Sequence, residues 1–575
     1  MWIHLVICSL LLCISENSAA SKKPHIIFIL CDDVGWNDVS YHGSDQIPTP
    51  NIDALAYSGF ILHNHYVQPI CTPSRASLMT GRYPSKIGMQ GVPIGGAQPR
   101  ALPDGKILPQ YLKDLGYVTR HIGKWHLGFY EVKYTPIKRG FDSSIGYYNG
   151  LTSYFTHVYD DPLPKWKDIC KNGRQGRTID FSKNHLYGMD MNRNNTPAWD
   201  LSGRYATDLF TEEAVKQIHE HNPSSPLFMY VAHLACHAGN WGENLEAPQE
   251  TINKFPHIID PNRRTYAAMM SKLDDSVGEI MAALKAKKML ENSIVIFMSD
   301  NGGPTVLDSK WQTPASNYPL RGTKVTQWEG GIRVPAILWS PLLKHNVHVS
   351  NHLMHISDWL PTLYSAAGGN PDDLKNVPMD GVDQWNALVH NKDSARDEIL
   401  QVYDMTLNHT ALRKGAWKLS QGFSQMGDWD GYYGDTGVSS KNPKYDVQKI
   451  YNSDAGSAIS SVKKLPKQDA ILKLRNEVTL KCPPQENPTP CDTFQDMKPC
   501  LFNIAKDPCE TNDLSSQHPD TFKQLLDLLN KHHETAVPVT PVPYEPNKAN
   551  PAKFNDTWIP WNEKEVCYKD NKYNC

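Results

Sequence analysis

The nine residues HIIFILCDD (25–33) set the architecture: an almost unbroken apolar run from His25 to Leu30, then Cys31, then two acids, Asp32 and Asp33. A run that is apolar on both alternating faces reads as a strand covered on both sides, as in a parallel sheet packed between helices. The same pattern recurs in YVTRHI (117–122), PLFMYVA (226–232), SIVIFMS (293–299) and VPAILWS (334–340). Between these runs, 207–221 and 264–287 carry helical periodicity. Strand and helix alternating over this length predict an α/β fold, a large mostly parallel or mixed sheet sandwiched by helices.

Outward from this core the texture changes twice. At the start, an apolar run from Leu5 to Ile14 precedes Ser18-Ala19-Ala20, the pattern of a signal peptide over 1–20, with the mature chain opening near Ser21. Beyond about Leu400 the sequence predicts a smaller C-terminal α+β domain (401–575). It has a strand at 417–420, a long loop at 420–465 bearing Trp429, Tyr432 and Tyr433, and a helix at 522–534. The catalytic domain is expected over 21–400. Six of the twelve cysteines fall late (Cys482, Cys491, Cys500, Cys509, Cys567 and Cys575), so a stapled C-terminal region is expected in an oxidising compartment. Sequons at Asn194, Asn408 and Asn555 suit the same compartment. With 575 residues and a net charge of −3, no polybasic field exists to attract nucleic acid. After the leader, no stretch approaches the ~20 apolar residues of a membrane span.

The informative residues follow the strands. HIIFIL leads to Asp32 and Asp33, SIVIFMS to Asp300-Asn301-Gly302-Gly303, and the 117–122 strand to Gly123-Lys124-Trp125-His126. The 226–232 strand leads to His233 and His237. Ligands of open parallel sheets sit outside the carboxyl ends of the strands, so these groups are expected to converge. Three carboxylates and one amide oxygen form an all-oxygen set, suited to a hard cation such as Ca²⁺ or Mg²⁺. Separately, CTPSRASLMTGR (71–82) reads as a helix start, with Pro73 in the first turn and Gly81 at the end. Such a start holds oxyanions, and Arg75 adds a guanidinium one turn in. Cys71 could act there as a thiolate, as in a cysteine phosphatase. The Cys-x3-Arg spacing, with Pro between, departs from the Cys-x5-Arg loop of those enzymes.

Taken together, CTPSRASLMTGRYP (71–84), GKWHLG (123–128), DDVGWNDV (32–39), RGFD (139–142), SDNGG (299–303) and LRGTKVTQWEGGIRVP (320–335) resemble the sulfatase family, nearest its arylsulfatase B (N-acetylgalactosamine-4-sulfatase) branch. The resemblance covers most of the mature chain and implies an alkaline-phosphatase-like fold. It implies Ca²⁺, one per chain, held by Asp32, Asp33, Asp300 and Asn301. Cys71 would be converted to Cα-formylglycine by the formylglycine-generating enzyme and complete the metal shell. Arg75, Lys124, His126, His237 and Lys324 would surround the sulfate. Two features depart from the pattern. His237 is followed by Ala238-Gly239-Asn240 without the usual Pro, and residues 85–170 hold only Cys170.

The function expected is hydrolysis of a sulfate ester, on a terminal sulfated sugar or on a small molecule such as a phenol sulfate or glucosinolate, in a lysosome or outside the cell. The competing readings are a formylglycine-dependent phosphodiesterase or phosphonate hydrolase, and a silent binder of sulfated ligands.

Overall fold

The computed structural model describes residues 22–563 apart from 163–164, 172–173, 181–184, 241–244, 306–312, 344–348, 483–490, 495–497 and 540–541. The expected signal peptide, Cys567 and Cys575 lie outside the described residues.

A ten-stranded sheet forms the centre. From edge to edge it runs Thr196–Pro197, Asn192–Arg193, Ser143–Tyr147, Val118–Lys124, Leu227–Ala232, His25–Cys31, Ser293–Ser299, Ala336–Trp339, Phe60–Leu62 and Val349–Ser350. Five consecutive strands, from Ser143–Tyr147 to Ser293–Ser299, are parallel. His25–Cys31 lies among them with all seven residues buried, which is why its sequence shows no alternation. VPAILWS also enters the sheet, but antiparallel to Ser293–Ser299, so the sheet is mixed.

Helices flank the sheet. Ala206–Glu220 and Pro261–Ala286 fall where the periodicity placed them and pack on each other. The helices Cys71–Thr80, Leu108–Asp114 and Trp359–Ala366 form another packed group. No helix among the described residues is long and apolar enough to cross a membrane.

A second, antiparallel sheet follows, in the order Glu398–Asp404, His409–Lys414, Trp417–Gln421 and Cys500–Asn503. The helix Pro519–Glu534 seats Leu525 and Leu529 against Leu400, Leu412, Leu419 and Leu501, giving this sheet its own small core. Cys482–Cys509 and Cys491–Cys500 staple it.

The segment 420–465 is not one long loop. It contains the helices Val447–Asn452 and Asp454–Ser460, the second capped by Ser453, whose hydroxyl accepts the Gly456 N–H. Ala455, Ala458 and Ile459 are buried in the large core beside Pro261–Ala286. The small side chains of Ala455 and Ala458 allow the close approach and also hide the helix in a Gly- and Ser-rich sequence. The Pro-rich tail includes a helical turn, Pro546–Ala549, and then returns to the large core. There Trp558 Nε1 donates to Tyr159 O (3.2 Å) and Trp561 Nε1 donates to Gly96 O (2.9 Å).

Candidate active site

Parallel register brings the strand-end residues together. Cys31 is the register partner of Ser299, so Asp32 and Asp300 leave the sheet side by side. Ala232 pairs with both Leu30 and Gly123, which brings Lys124 to the same edge. Position 123 must be glycine: its φ is +99°, and a Cβ there would lie 1.9 Å from Ala232 O.

The helix Cys71–Thr80 aims its N-terminus at these residues. Gly81, at φ +67°, closes its far end by donating to Ser77 O. Arg75 is fully buried and meets one Asp300 oxygen twice, Nε at 2.9 Å and Nη2 at 2.8 Å. Its Nη1 reaches the carbonyl of Lys124 (3.4 Å) and the Tyr230 hydroxyl (3.5 Å). Ligand atoms of Asp32, Cys71 and Asp300 lie within 4.8 Å of one another, as do those of Asp32, Asp33 and His237.

Four further cationic or imidazole groups complete the cluster. Lys124 Nζ is 2.5 Å from Asp32 Oδ2. Lys324 Nζ is 2.7 Å from Asp33 Oδ1, and His237 Nε2 is 3.5 Å from Asp33 Oδ2. His126 sits beside the helix start, where its carbonyl accepts from Thr72 Oγ1. Its Nε2 faces Ile94 O at 3.2 Å. His233 lies elsewhere, paired with Ser276 Oγ.

Three acids thus face Arg75 and two lysines, and the balance fixes protonation. Burial alone would raise the Asp32 carboxyl, but Lys124, His237 and Arg75 together hold it well below the usual carboxylate range. Burial and the Asp32 charge push Asp300 up to about 7, against the pull of Arg75. Burial also raises the Cys71 thiol despite Lys124 and Lys324, so this cysteine is not a ready thiolate. Burial, with Lys324, lowers His237 to about 4, and burial, with Lys124 and Arg75, keeps His126 neutral as well.

Asp32 Oδ1, Asp300 Oδ1 and Asn301 Oδ1 are buried without a hydrogen-bond partner. Buried oxygens are rarely left so, and three at adjacent strand ends fit the coordination shell of a hard divalent cation. Sequence reasoning overlooked three supporting residues. Tyr230 backs Arg75 but sits inside an apolar run, where only its hydroxyl distinguished it. Asn317 holds the turn after Asn301, accepting from Gly303 N (2.9 Å) and donating to Gly303 O (2.8 Å). Val325 donates its N–H to Pro69 O (2.7 Å), two residues before Cys71.

The sulfatase family profile matches residues 24–369. Mouse arylsulfatase J is 37% identical over 568 residues, covering 96% of this chain and 82% of the relative. Human N-acetylgalactosamine-6-sulfatase is 29% identical over 403 residues, covering 65% of this chain and 67% of the relative. Among solved structures, Ps i-CgsB superposes with a TM-score of 0.65 at 26% identity, covering 92% of this chain and 97% of its own. Its complex with k-i-k-neocarrahexaose gives 0.66 at 26% identity, covering 93% and 99%. With a family match over more than half its length and an arylsulfatase relative along nearly all of it, this chain belongs to the sulfatase family and is a sulfuric ester hydrolase.

Proposed function

We propose that this sulfatase removes sulfate from a sugar of a sulfated glycan, using calcium and a formylglycine formed from Cys71 by the formylglycine-generating enzyme. The observation that carries the reading is the set of unpartnered buried oxygens on Asp32, Asp300 and Asn301, two of these residues having ligand atoms within 4.8 Å of that of Cys71. Asp33 would join them as the fourth ligand. The glycan substrate is supported by the human relative, an N-acetylgalactosamine-6-sulfatase, and by the neighbour bound to an oligosaccharide. The leader and sequons support a lysosomal or extracellular destination.

When bound, calcium supplies Lewis-acid polarisation, and hydrated formylglycine supplies one hydroxyl for attack on sulfur and a second to drive release. The remaining chemistry belongs to the side chains. Lys124 and Lys324 present ammonium groups beside residue 71, where they balance the charge on the sulfate oxygens. Arg75, fixed by Asp300 and Tyr230, keeps positive charge behind the nucleophile. His237 holds its Nδ1–H on Ala238 O at 2.7 Å, so the neutral ring would first take a proton at Nε2 as the anionic substrate enters and then give that proton to the leaving oxygen. Lys324, on the same edge, is the other proton source. The unpartnered Nδ1 of His126 would take the proton whose loss ends the cycle.

The test compares sulfated monosaccharides, glucosinolates, nitrophenyl sulfate and a nitrophenyl phosphodiester, each with calcium and with a chelator. Calcium-dependent turnover that is highest on a sulfated sugar supports the reading. Higher turnover of the phosphodiester than of any sulfate, or full activity in chelator, would overturn it.

A further inference from the structure

Lys324 lies on no strand or helix. It belongs to the connection between Ser293–Ser299 and Ala336–Trp339, and its position depends on what grips that connection. On the inner side, Lys324 N donates to Gly303 O (3.2 Å), and Val325 N donates to Pro69 O (2.7 Å). Between these bonds the chain passes through Val325 at φ +78°. A β-branched residue resists that conformation, which persists only where its surroundings impose it.

The outer grip comes from residues beyond 400. Arg321 Nε donates to Asp430 O (2.7 Å), and its Nη2 donates to Cys491 O (2.9 Å). Gly322 N donates to Gly431 O (2.7 Å). The Arg321 guanidinium stacks 3.7 Å from the Trp328 ring centroid, and Trp328 Nε1 donates to Asp430 Oδ1 at 2.9 Å. Next along the chain, Glu329 N donates to Glu510 Oε2 (2.7 Å). Lys418 Nζ bridges the Glu329 and Glu510 carboxylates at 3.0 and 2.8 Å, all fully buried.

We infer that the C-terminal portion of the chain is part of the catalytic apparatus: Asp430, acting through Trp328 and Arg321, is a positioning residue that holds Lys324 against the sulfate. Released from this clamp, Val325 can relax to negative φ, and the lysine beside it turns away from residue 71. A shift of about 1 Å in a charge-bearing group is enough to cost on the order of 100-fold in rate. The inference rests on the role proposed for Lys324, so that residue supplies the control.

The experiment measures kcat/KM for nitrophenyl sulfate on folded, calcium-loaded protein. Asp430→Leu should lose at least about tenfold. Asp430→Asn, which keeps an oxygen for the Trp328 N–H, should stay within about threefold of the parent. Trp328→Phe keeps the ring under Arg321 but removes the N–H. It should reproduce the Asp430→Leu loss even where the leucine variant does not fold. If Lys324→Met loses activity while Trp328→Phe and Asp430→Leu keep it, the clamp is refuted and the lysine's role stands. Equal losses in Asp430→Asn and Asp430→Leu would also refute the clamp, because its hydrogen bond would then be irrelevant. Undiminished activity in Lys324→Met would instead remove the reading on which the inference rests.

Discussion

Asp300 meets Arg75 through one oxygen and leaves the other buried and unpartnered, so its two halves have separate tasks. Asp300→Ala should therefore weaken calcium binding by more than about 100-fold, since even outer partners of metal ligands are worth ~10–100-fold. Titration calorimetry on the variant checks this, and parent-like affinity would exclude these strand ends as the metal site. Cys71 calls for a different measurement. Formylglycine formation should lower the mass of the residue 71 peptide by about 18 Da and make it reactive to hydrazides. Protein made without conversion should fold and be nearly inactive; full activity from an alkylatable Cys71 thiol would restore the cysteine-nucleophile mechanism. The acids were legible because each ends an apolar strand, where a polar pair stands out. Lys324 follows no strand, and only its resemblance to a family block singled it out. Tyr230 was invisible because a core tyrosine and an arginine's partner look alike in sequence.

At the scale of elements, the helix Pro50–Ser58 carries a buried acid that does no chemistry. Asp53 accepts from Ser40 Oγ, Thr49 Oγ1 and Tyr445 OH, the last at 2.5 Å from the segment expected to be a loop. Burial outweighs these bonds and pushes its carboxyl up to about 6. The folded state therefore holds this proton more tightly than the unfolded state does. The associated stability is complete below about pH 4 and is lost as pH rises through about 6. A shift of roughly two units corresponds to about 3 kcal/mol. The stability of the parent relative to Asp53→Asn should thus fall by about that amount between pH 4 and pH 7. Urea unfolding at the two pH values tests it, and a constant difference would mean that Asp53 stays ionised throughout. The helices near Tyr445 escaped sequence reading because they are only six and seven residues long and the second packs largely through Ala455, Gly456 and Ala458, which carry little periodic signal.

For the whole molecule, the α/β layering was readable because strands covered on both faces need continuous apolar runs. What composition could not show is that chain beyond 400 packs into both cores. Trp558 is 1% exposed within the large core. Trp558→Ala should cost about 3–5 kcal/mol, as for other large-to-small core changes. Denaturant unfolding should show the loss in the transition that reports the large domain, and an unchanged midpoint there would mean that the tail is only a surface strap. The same docking has a consequence for the order of events during biosynthesis. Cys71 is 2% exposed in the finished fold, beyond the reach of another enzyme's active site. The Trp561–Gly96 contact joins residues 465 apart, so the packing around the large core is completed only after Trp561 has been synthesised. Translation thus leaves an interval in which the Cys71 segment is still an open peptide. The conversion proposed for Cys71 would belong to that interval: the formylglycine-generating enzyme should modify a 71–84 peptide or a denatured chain and leave the folded Cys71 protein untouched.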